Sequence, residues 1–152
     1  MKKYMLLALL FGLSVFADES KLKWTTDYEA AVKEAKENKK KVFILFTNST
    51  RCLPCKRFKE GILASKDFKA YAEKNLVMLM VDYEPNFRKK GKKNLQQIEK
   101  EKKIPTKMAY RGRGPWPYLF VLDADEKTLY SGKAYEKTRT ETKKFLNFLK
   151  KL

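Results

Sequence analysis

Residues 42–58 read Val-Phe-Ile-Leu-Phe-Thr-Asn-Ser-Thr-Arg-Cys-Leu-Pro-Cys-Lys-Arg-Phe. Val42–Phe46 is a continuous apolar run bounded by lysines before it and small polar residues after it, which predicts a strand buried on both faces. Strands of this kind occupy the centre of a sheet. A helix is predicted to begin at the two cysteines, Cys52 and Cys55, which follow the strand after a short polar loop.

The position of the cysteines at a helix start indicates redox chemistry. Cys52 is expected near backbone N–H groups that favour a thiolate, while Cys55 lies one turn further along the helix. Pro54 suits the first helical turn, where the missing N–H costs little. Arg51 and Lys56 add positive charge, which is expected to lower the pKa of the Cys52 thiol further. The order strand, Cys-x-x-Cys, helix makes the redox interpretation more specific than the spacing alone.

Other uses of a cysteine pair are weighed against this interpretation. The chain has two cysteines and no histidine, so it lacks the four ligands that a structural zinc site usually needs. Haem attachment requires histidine directly after the second cysteine, where Lys56 stands. A structural disulfide across two residues closes too small a loop to stabilise the fold much. A Cu(I) site made of both thiolates stays open.

Length and composition point to one globular domain. The chain has 152 residues, of which 43% are hydrophobic, and a formal net charge of +17. The apolar fraction is too high for a disordered polycation. The absence of histidine excludes Ser-His-Asp and Cys-His nucleophilic sites.

The N-terminal residues have the three parts of a signal peptide. Met1–Lys3 is basic, Tyr4–Phe16 is a short apolar stretch, and the small residue Ala17 precedes Asp18. The apolar stretch is shorter than the roughly 18 residues needed to span a bilayer. We expect residues 1–17 to be removed and a domain of residues 18–152 to be exported, either to the periplasm or out of the cell, where disulfides persist.

Hydrophobic periodicity predicts the remaining elements. An amphipathic helix is expected at about residues 27–38, with Trp24–Asp27 as its entry and Thr26 as its cap. The other predicted elements are a helix capped by Ser65, a buried strand at Leu76–Val81, an antiparallel hairpin of Tyr118–Leu122 and Thr128–Tyr135, and a final helix carrying Phe145, Phe148, Leu149 and Leu152.

Between Glu84 and Gly114 the composition becomes basic, which predicts an insertion rather than a second domain. It contains a weakly amphipathic helix around Leu95 and Ile98, and its concentrated positive charge lies at Arg88–Lys93, Arg111 and Arg113. Such a rim is suited to attract acidic proteins or an anionic membrane surface. No nucleic-acid binding motif accompanies the charge, so nucleic acid is not an expected partner.

With these features the chain resembles the thioredoxin superfamily, and the resemblance covers most of residues 18–152. Before the Val42–Phe46 strand, the residues that carry it are Trp24, Asp27, Tyr28, Ala31, Val32, Ala35 and Lys36, in a pattern similar to exported thioredoxin-like proteins. The resemblance implies an α/β fold with a central mixed sheet flanked by helices, interrupted by the basic insertion.

The superfamily also has a cis-proline that faces the cysteines, just before a strand that ends in Asp. Residues 116–123, Trp-Pro-Tyr-Leu-Phe-Val-Leu-Asp, match that arrangement. The resemblance therefore implies that Pro117 is the cis-proline and that Trp116 and Pro117 contact substrate. Pro105 is a rival because it forms a Pro-Thr pair, but the residues 107–111 after it make a poor strand.

Two residues depart from the family pattern. Thioredoxin carries a buried acid six residues before its first cysteine, and Phe46 occupies that place here. Arg51 stands where the usual Trp precedes the cysteine. Glu60, Asp82 and Glu84 are candidates to replace the missing acid as a proton relay.

The resemblance implies a protein thiol-disulfide oxidoreductase that needs no cofactor beyond a redox-active Cys52–Cys55 disulfide. Cys52 attacks a substrate disulfide and Cys55 resolves the mixed disulfide, while Leu53, Pro54 and Pro117 contact the substrate. The expected partners are protein disulfides or dithiols and an unidentified redox partner.

The direction of electron flow stays open. Cations beside Cys52 stabilise its thiolate and so make the disulfide more oxidising, whereas Pro54 before the second cysteine resembles reducing members of the family. A non-catalytic binding module or a Cu(I)-handling chaperone with the same fold is the alternative function.

Overall fold

The computed structural model describes residues 21–83, 95–109, 116–136 and 141–152. The strands are β1 (Trp24–Thr25), β2 (Lys41–Thr47), β3 (Leu76–Asp82), β4 (Tyr118–Leu122) and β5 (Thr128–Lys133). The helices are α1 (Tyr28–Asn38), α2 (Leu53–Arg57), α3 (Lys66–Asn75), α4 (Leu95–Glu101) and α5 (Thr142–Lys151), with a π-helix at Phe58–Leu63 and a 3₁₀ turn at Thr106–Met108.

The strands form one mixed sheet in the order β1-β3-β2-β4-β5. β2 is parallel to β3, with Thr47 opposite Asp82, and antiparallel to β4, with Phe46 opposite Tyr118. The end of β2, the end of β3 and the start of β4 therefore meet at one edge of the sheet. The predicted buried strand and the predicted hairpin are both confirmed.

Helices cover both faces of the sheet, so β2 contributes to two cores. Ile44 and Phe46 face a core that includes α1 and the residues after α4. Phe43 and Leu45 face a second core that includes the π-helix, α3 and α5. This alternation explains why the whole of Val42–Phe46 is apolar, because each successive side chain enters one core or the other.

The start of the chain differs from the prediction in two ways. Trp24 and Thr25 are not a helix entry but the short strand β1, which pairs with β3. The N-cap of α1 is Asp27 rather than Thr26, because the Asp27 carboxylate accepts a hydrogen bond from the Ala30 N–H at 2.9 Å. Thr25 uses its hydroxyl within the sheet, donating to the Met78 carbonyl at 2.9 Å.

The described part of the basic insertion packs onto the domain. Ile104 and Met108 are buried in the core beside α1. The Tyr28 N–H donates to the Lys102 carbonyl at 2.9 Å, which joins the end of α4 to the start of α1. The basic residues Arg88–Lys93, Arg111 and Arg113 lie outside the described residues. None of the described helices is long and apolar enough to cross a membrane.

Tyr28 and Glu126 join α1 to the turn between β4 and β5. The Tyr28 hydroxyl donates to Glu126 Oε1 at 2.8 Å. Burial and the neighbouring Glu126 carboxylate raise the pKa of the Tyr28 phenol well above its ordinary value. The same hydrogen bond, with Lys36 nearby, lowers the pKa of Glu126. At neutral pH the pair is therefore a neutral phenol donating to a carboxylate.

We predict opposite effects of two Thr→Val substitutions on stability. Thr47 is fully buried at the end of β2, and its hydroxyl has no hydrogen-bond partner among the described residues. Replacing this hydroxyl by a methyl group removes a desolvation cost, so Thr47→Val should raise the free energy of unfolding by about 1 kcal/mol. Thr25→Val should lower it by about 1 kcal/mol, because the bond to Met78 is lost.

Urea unfolding of both variants with the disulfide intact measures the difference. A Thr47→Val variant destabilised as much as Thr25→Val would show that the Thr47 hydroxyl contributes a favourable interaction.

Candidate active site

The cysteine pair lies at the start of α2 and forms a disulfide with a Cα–Cα distance of 5.2 Å. Cys52 is the N-cap of the helix, and its Sγ accepts a hydrogen bond from the Cys55 N–H at 3.1 Å. Cys55 is fully buried, whereas Cys52 is partly exposed. The two sulfurs therefore differ in access to solvent and in access to a backbone donor.

The residues between and beside the cysteines are exposed. Leu53 is 57% exposed and is the only large hydrophobic side chain classed as exposed among the described residues. Pro54 is exposed beside it, in the first turn of α2. Arg51 is exposed in the preceding loop, and Lys56 lies 3.9 Å from the Glu60 carboxylate with both side chains largely in solvent. The cationic side chains flank Cys52 in the sequence, and water screens their charge.

The loop between β2 and Cys52 is tied down by two hydrogen-bonded residues. The buried Asn48 side chain accepts from the Thr50 and Arg51 N–H groups, both at 3.2 Å. The Asp82 carboxylate accepts from the Ser49 N–H at 3.0 Å and also from the Ser49 hydroxyl. The end of β3 thus anchors the loop that leads to the cysteines.

The Trp116–Pro117 bond is cis, which confirms the prediction for this bond. Pro117 is buried immediately before β4, and its carbonyl accepts from the Ala134 N–H at 2.9 Å. Since Tyr118 pairs with Phe46, Pro117 lies at the edge of the sheet from which the cysteine loop leaves. The rival Pro105 precedes the 3₁₀ turn instead of a strand.

The place of the acid that thioredoxin carries is filled by aromatic packing. Phe46 is fully buried and stacks on Tyr83, with ring centroids 6.1 Å apart. Of the candidate replacements, Glu60 is exposed, Asp82 binds Ser49, and Glu84 lies outside the described residues. None of the placed candidates is a buried acid.

Among the described residues, Glu99 in α4 carries a buried carboxylate, which was not predicted. Glu99 is 3% exposed, and its Oε1 accepts from the Tyr83 hydroxyl at 2.5 Å. A signal was present in the sequence, because Glu99 follows Leu95 and Ile98 at helical spacing on the apolar side of the predicted helix. Among the described residues no group of three or more Cys, Asp or Glu side chains could hold a metal ion.

A family model described as thioredoxin-like matches residues 23–124, which is more than half of the chain. The chain belongs to the thioredoxin-like family. The sheet with its flanking helices, and the predicted fold class, agree with this membership.

A curated relative and a solved structure support the same assignment. The disulfide bond reductase DsbH of Chlamydia pneumoniae is 32% identical over 109 residues, which cover 71% of this thioredoxin-like chain and 60% of that protein. The chain thus spans less than two thirds of this relative. A structure of a DsbH oxidoreductase matches with a TM-score of 0.67 and 25% identity, covering 87% of this chain and 84% of that one.

More distant structures show the fold alone. A thioredoxin from Thermus thermophilus matches with a TM-score of 0.55 and 16% identity over 86% of this chain and 85% of its own. A disulphide isomerase from Xylella fastidiosa Temecula1 matches with a TM-score of 0.53 and 18% identity over 81% of this chain and 86% of its own.

We predict that Cys52 is the reactive thiol of the reduced protein. In Cys55→Ser, the remaining Cys52 should react with iodoacetamide faster, and at lower pH, than Cys55 does in Cys52→Ser. The reason is that Cys52 is partly exposed at the helix N-terminus, where N–H groups favour its thiolate, whereas Cys55 is buried. Alkylation rates measured against pH compare the two thiols. Faster reaction of Cys55 would reverse the assigned roles.

Proposed function

We propose that this chain is a thiol-disulfide oxidoreductase that acts on exported proteins through Cys52 and Cys55. The observation that carries the proposal is the disulfide at the start of α2, with one sulfur partly exposed and the other buried behind it. Membership of the thioredoxin-like family and the likeness to proteins named DsbH support it.

The proposed exchange has two displacement steps. The Cys52 thiolate attacks one sulfur of a substrate disulfide, forming a mixed disulfide and releasing the other substrate sulfur as a thiolate, which takes up a proton. Cys55 then loses its proton and attacks Cys52, which forms the Cys52–Cys55 disulfide and releases the second substrate thiol. Two electrons and two protons pass to the substrate in total. Oxidation of a substrate dithiol is the same sequence in reverse.

The reducing direction is the one that the comparison favours, because the curated relative is named a disulfide bond reductase. In that direction an unidentified redox partner must reduce Cys52–Cys55 again after each cycle. The reduction potential of the pair, measured against glutathione, tests the direction. A reductase requires a more negative potential than that of the substrate disulfides.

Substrate binding is proposed for the residues that surround Cys52. Leu53 and Pro54 offer exposed apolar surface directly beside the sulfur. Trp116 and Pro117 lie at the same edge of the sheet, where an extended substrate segment would add to the backbone in the manner of an added strand. Arg51 and Lys56 are proposed to favour the Cys52 thiolate, within the limit that solvent screening sets.

The two cysteine variants test the function. Cys52→Ser should abolish reduction of a disulfide-bonded peptide, because no nucleophile remains at the exposed position. Cys55→Ser should accumulate a mixed disulfide through Cys52, because the resolving thiol is missing. Peptide thiol release and mass spectrometry of the adduct measure these outcomes.

Retention of full activity by both variants would exclude the exchange mechanism. Stoichiometric Cu(I) binding by the reduced protein, lost in either variant and without peptide turnover in the unmodified protein, would favour the copper-handling alternative instead.

Export completes the proposal. Residues 1–17, which lie outside the described residues, have the basic, apolar and small-residue parts of a signal peptide. We expect the mature protein to begin at Asp18 in the periplasm or outside the cell, and its intact mass measures this. Recovery of the exported protein with Met1 retained would contradict cleavage.

The exposed lysines and the basic insertion suit encounter with acidic proteins or an anionic membrane surface, and no role in nucleic-acid binding is proposed.

A further inference from the structure

We infer that Tyr83 and Glu99 are a positioning pair that holds Trp116 in place for protein substrates. The inference rests on the proposed function, because it assigns Trp116 to substrate binding. According to this inference, residues 95–109, the described part of the basic insertion, carry the Glu99 carboxylate that supports Trp116 at the edge of the sheet where substrate binds.

Tyr83 lies between the central strand and Trp116. It directly follows β3, and its N–H donates to the Thr47 carbonyl at 2.9 Å. Its ring stacks on Trp116 with a centroid distance of 5.7 Å and an interplanar angle of 21°. On Phe46 the corresponding values are 6.1 Å and 23°. Tyr83 thus stacks on both Trp116 and the Phe46 ring at the end of β2.

Glu99 sets the position of that ring. Stacked aromatic rings prefer offset arrangements, but stacking by itself does not set the direction of the offset. The hydroxyl bond to Glu99 sets that direction, because it holds the far end of the Tyr83 ring at 2.5 Å from a carboxylate oxygen. Tyr83 is 1% exposed and Glu99 is 3% exposed, so water does not compete strongly for the bond.

Stability alone does not explain the pair. Glu99 is the only charged side chain classed as buried among the described residues. Burial of a carboxylate is costly even when it is hydrogen-bonded, and apolar residues of similar size often serve stability as well. A polar pair in such a place is better suited to fixing one geometry of the aromatic rings than to raising the free energy of unfolding.

Backbone hydrogen bonds and core packing hold the segment that carries Glu99 in place. The Glu99 carbonyl accepts from the Ile104 N–H at 2.9 Å, which closes the turn after α4. Ile104 is buried in the core beside α1, and the Lys102 carbonyl accepts from the Tyr28 N–H. The position of Glu99 is therefore set by the body of the domain.

The inference predicts a difference between large and small substrates. A disulfide-bonded peptide uses both Cys52 and the edge at Trp116, whereas hydroxyethyl disulfide is small enough to need only Cys52. Loss of the hydroxyl–carboxylate bond should therefore weaken peptide binding and leave reaction with the small disulfide unchanged.

Tyr83→Phe is the test variant because it keeps the ring and removes only the hydroxyl. We expect the KM for the peptide to rise about fivefold to tenfold, which corresponds to the net contribution of one ordinary hydrogen bond. The kcat for the peptide, and the rate with hydroxyethyl disulfide, should stay within about twofold of the unmodified protein.

Tyr28→Phe is the matched control. Tyr28 is also a buried tyrosine whose hydroxyl donates to a glutamate, Glu126, at 2.8 Å. Its partner lies in the turn after Leu122, which pairs with Val42 at the opposite end of β2 from the cysteine loop. Tyr28→Phe should change stability but neither KM nor the rate with the small disulfide.

Two substitutions of Glu99 separate position from charge. Glu99→Gln keeps an oxygen that can accept from Tyr83 and should retain a KM close to that of the unmodified protein. Glu99→Leu removes the acceptor and should reproduce the KM of Tyr83→Phe.

Fluorescence gives a second measurement of the position of Trp116. In a Trp24→Phe background Trp116 is the only tryptophan, so acrylamide quenching of its fluorescence should increase with Tyr83→Phe and with Glu99→Leu only.

Three outcomes for the tyrosine variants would overturn the inference. They are an unchanged peptide KM in folded Tyr83→Phe, an equal loss of rate with peptide and small disulfide, and equal effects of Tyr83→Phe and Tyr28→Phe on KM. Failure of the proposed function gives a different result, because either the unmodified protein would not reduce the peptide or Cys52→Ser would reduce it equally well. If Trp116→Ala leaves the peptide KM unchanged while Cys52→Ser abolishes turnover, the exchange reaction stands and the positioning role is wrong.

Discussion

The pairing of β2 with β3 on one side and β4 on the other fixes where the cysteine loop begins. β3 runs parallel to β2 and β4 antiparallel to it, so the end of β2 is enclosed by the end of one strand and the start of another. Both faces of β2 are covered, and its side chains enter two cores. The loop that follows β2 therefore starts from a fixed position. Asn48, directly after β2, and Asp82, at the end of β3, accept hydrogen bonds from the backbone of this loop.

The asymmetry of the cysteines follows from this geometry. A helix that starts immediately after the anchored loop places Cys52 at its N-cap, where it accepts the Cys55 N–H, and carries Cys55 into the interior. Exchange chemistry needs one accessible sulfur and one protected sulfur that reacts only within the molecule. The fold supplies both sulfurs because Cys55 follows Cys52 by one helical turn, and that turn takes the chain from the partly exposed surface into the interior.

Because Phe46 stands where thioredoxin carries a buried acid, aromatic rings fill the interior beside the site. An aromatic stack of Phe46, Tyr83 and Trp116 occupies the edge of the sheet, and the buried carboxylate is contributed by Glu99 from α4. The departure from the family pattern at Phe46 in β2 is therefore accompanied by a buried acid, Glu99, that comes from α4.

Local patterns in the sequence determined the buried strand, the cysteine motif at a helix start and the hairpin, because each depends on neighbours within a few residues. The cis bond before Pro117 was accessible only through the family resemblance. The strand β1 and the Asp27 cap were missed because two residues give no periodicity and because Thr26 and Asp27 are both good caps. The partnership of Tyr83 with Glu99 was decided by the tertiary structure alone, since it joins residues 16 positions apart across a segment without a predicted contact.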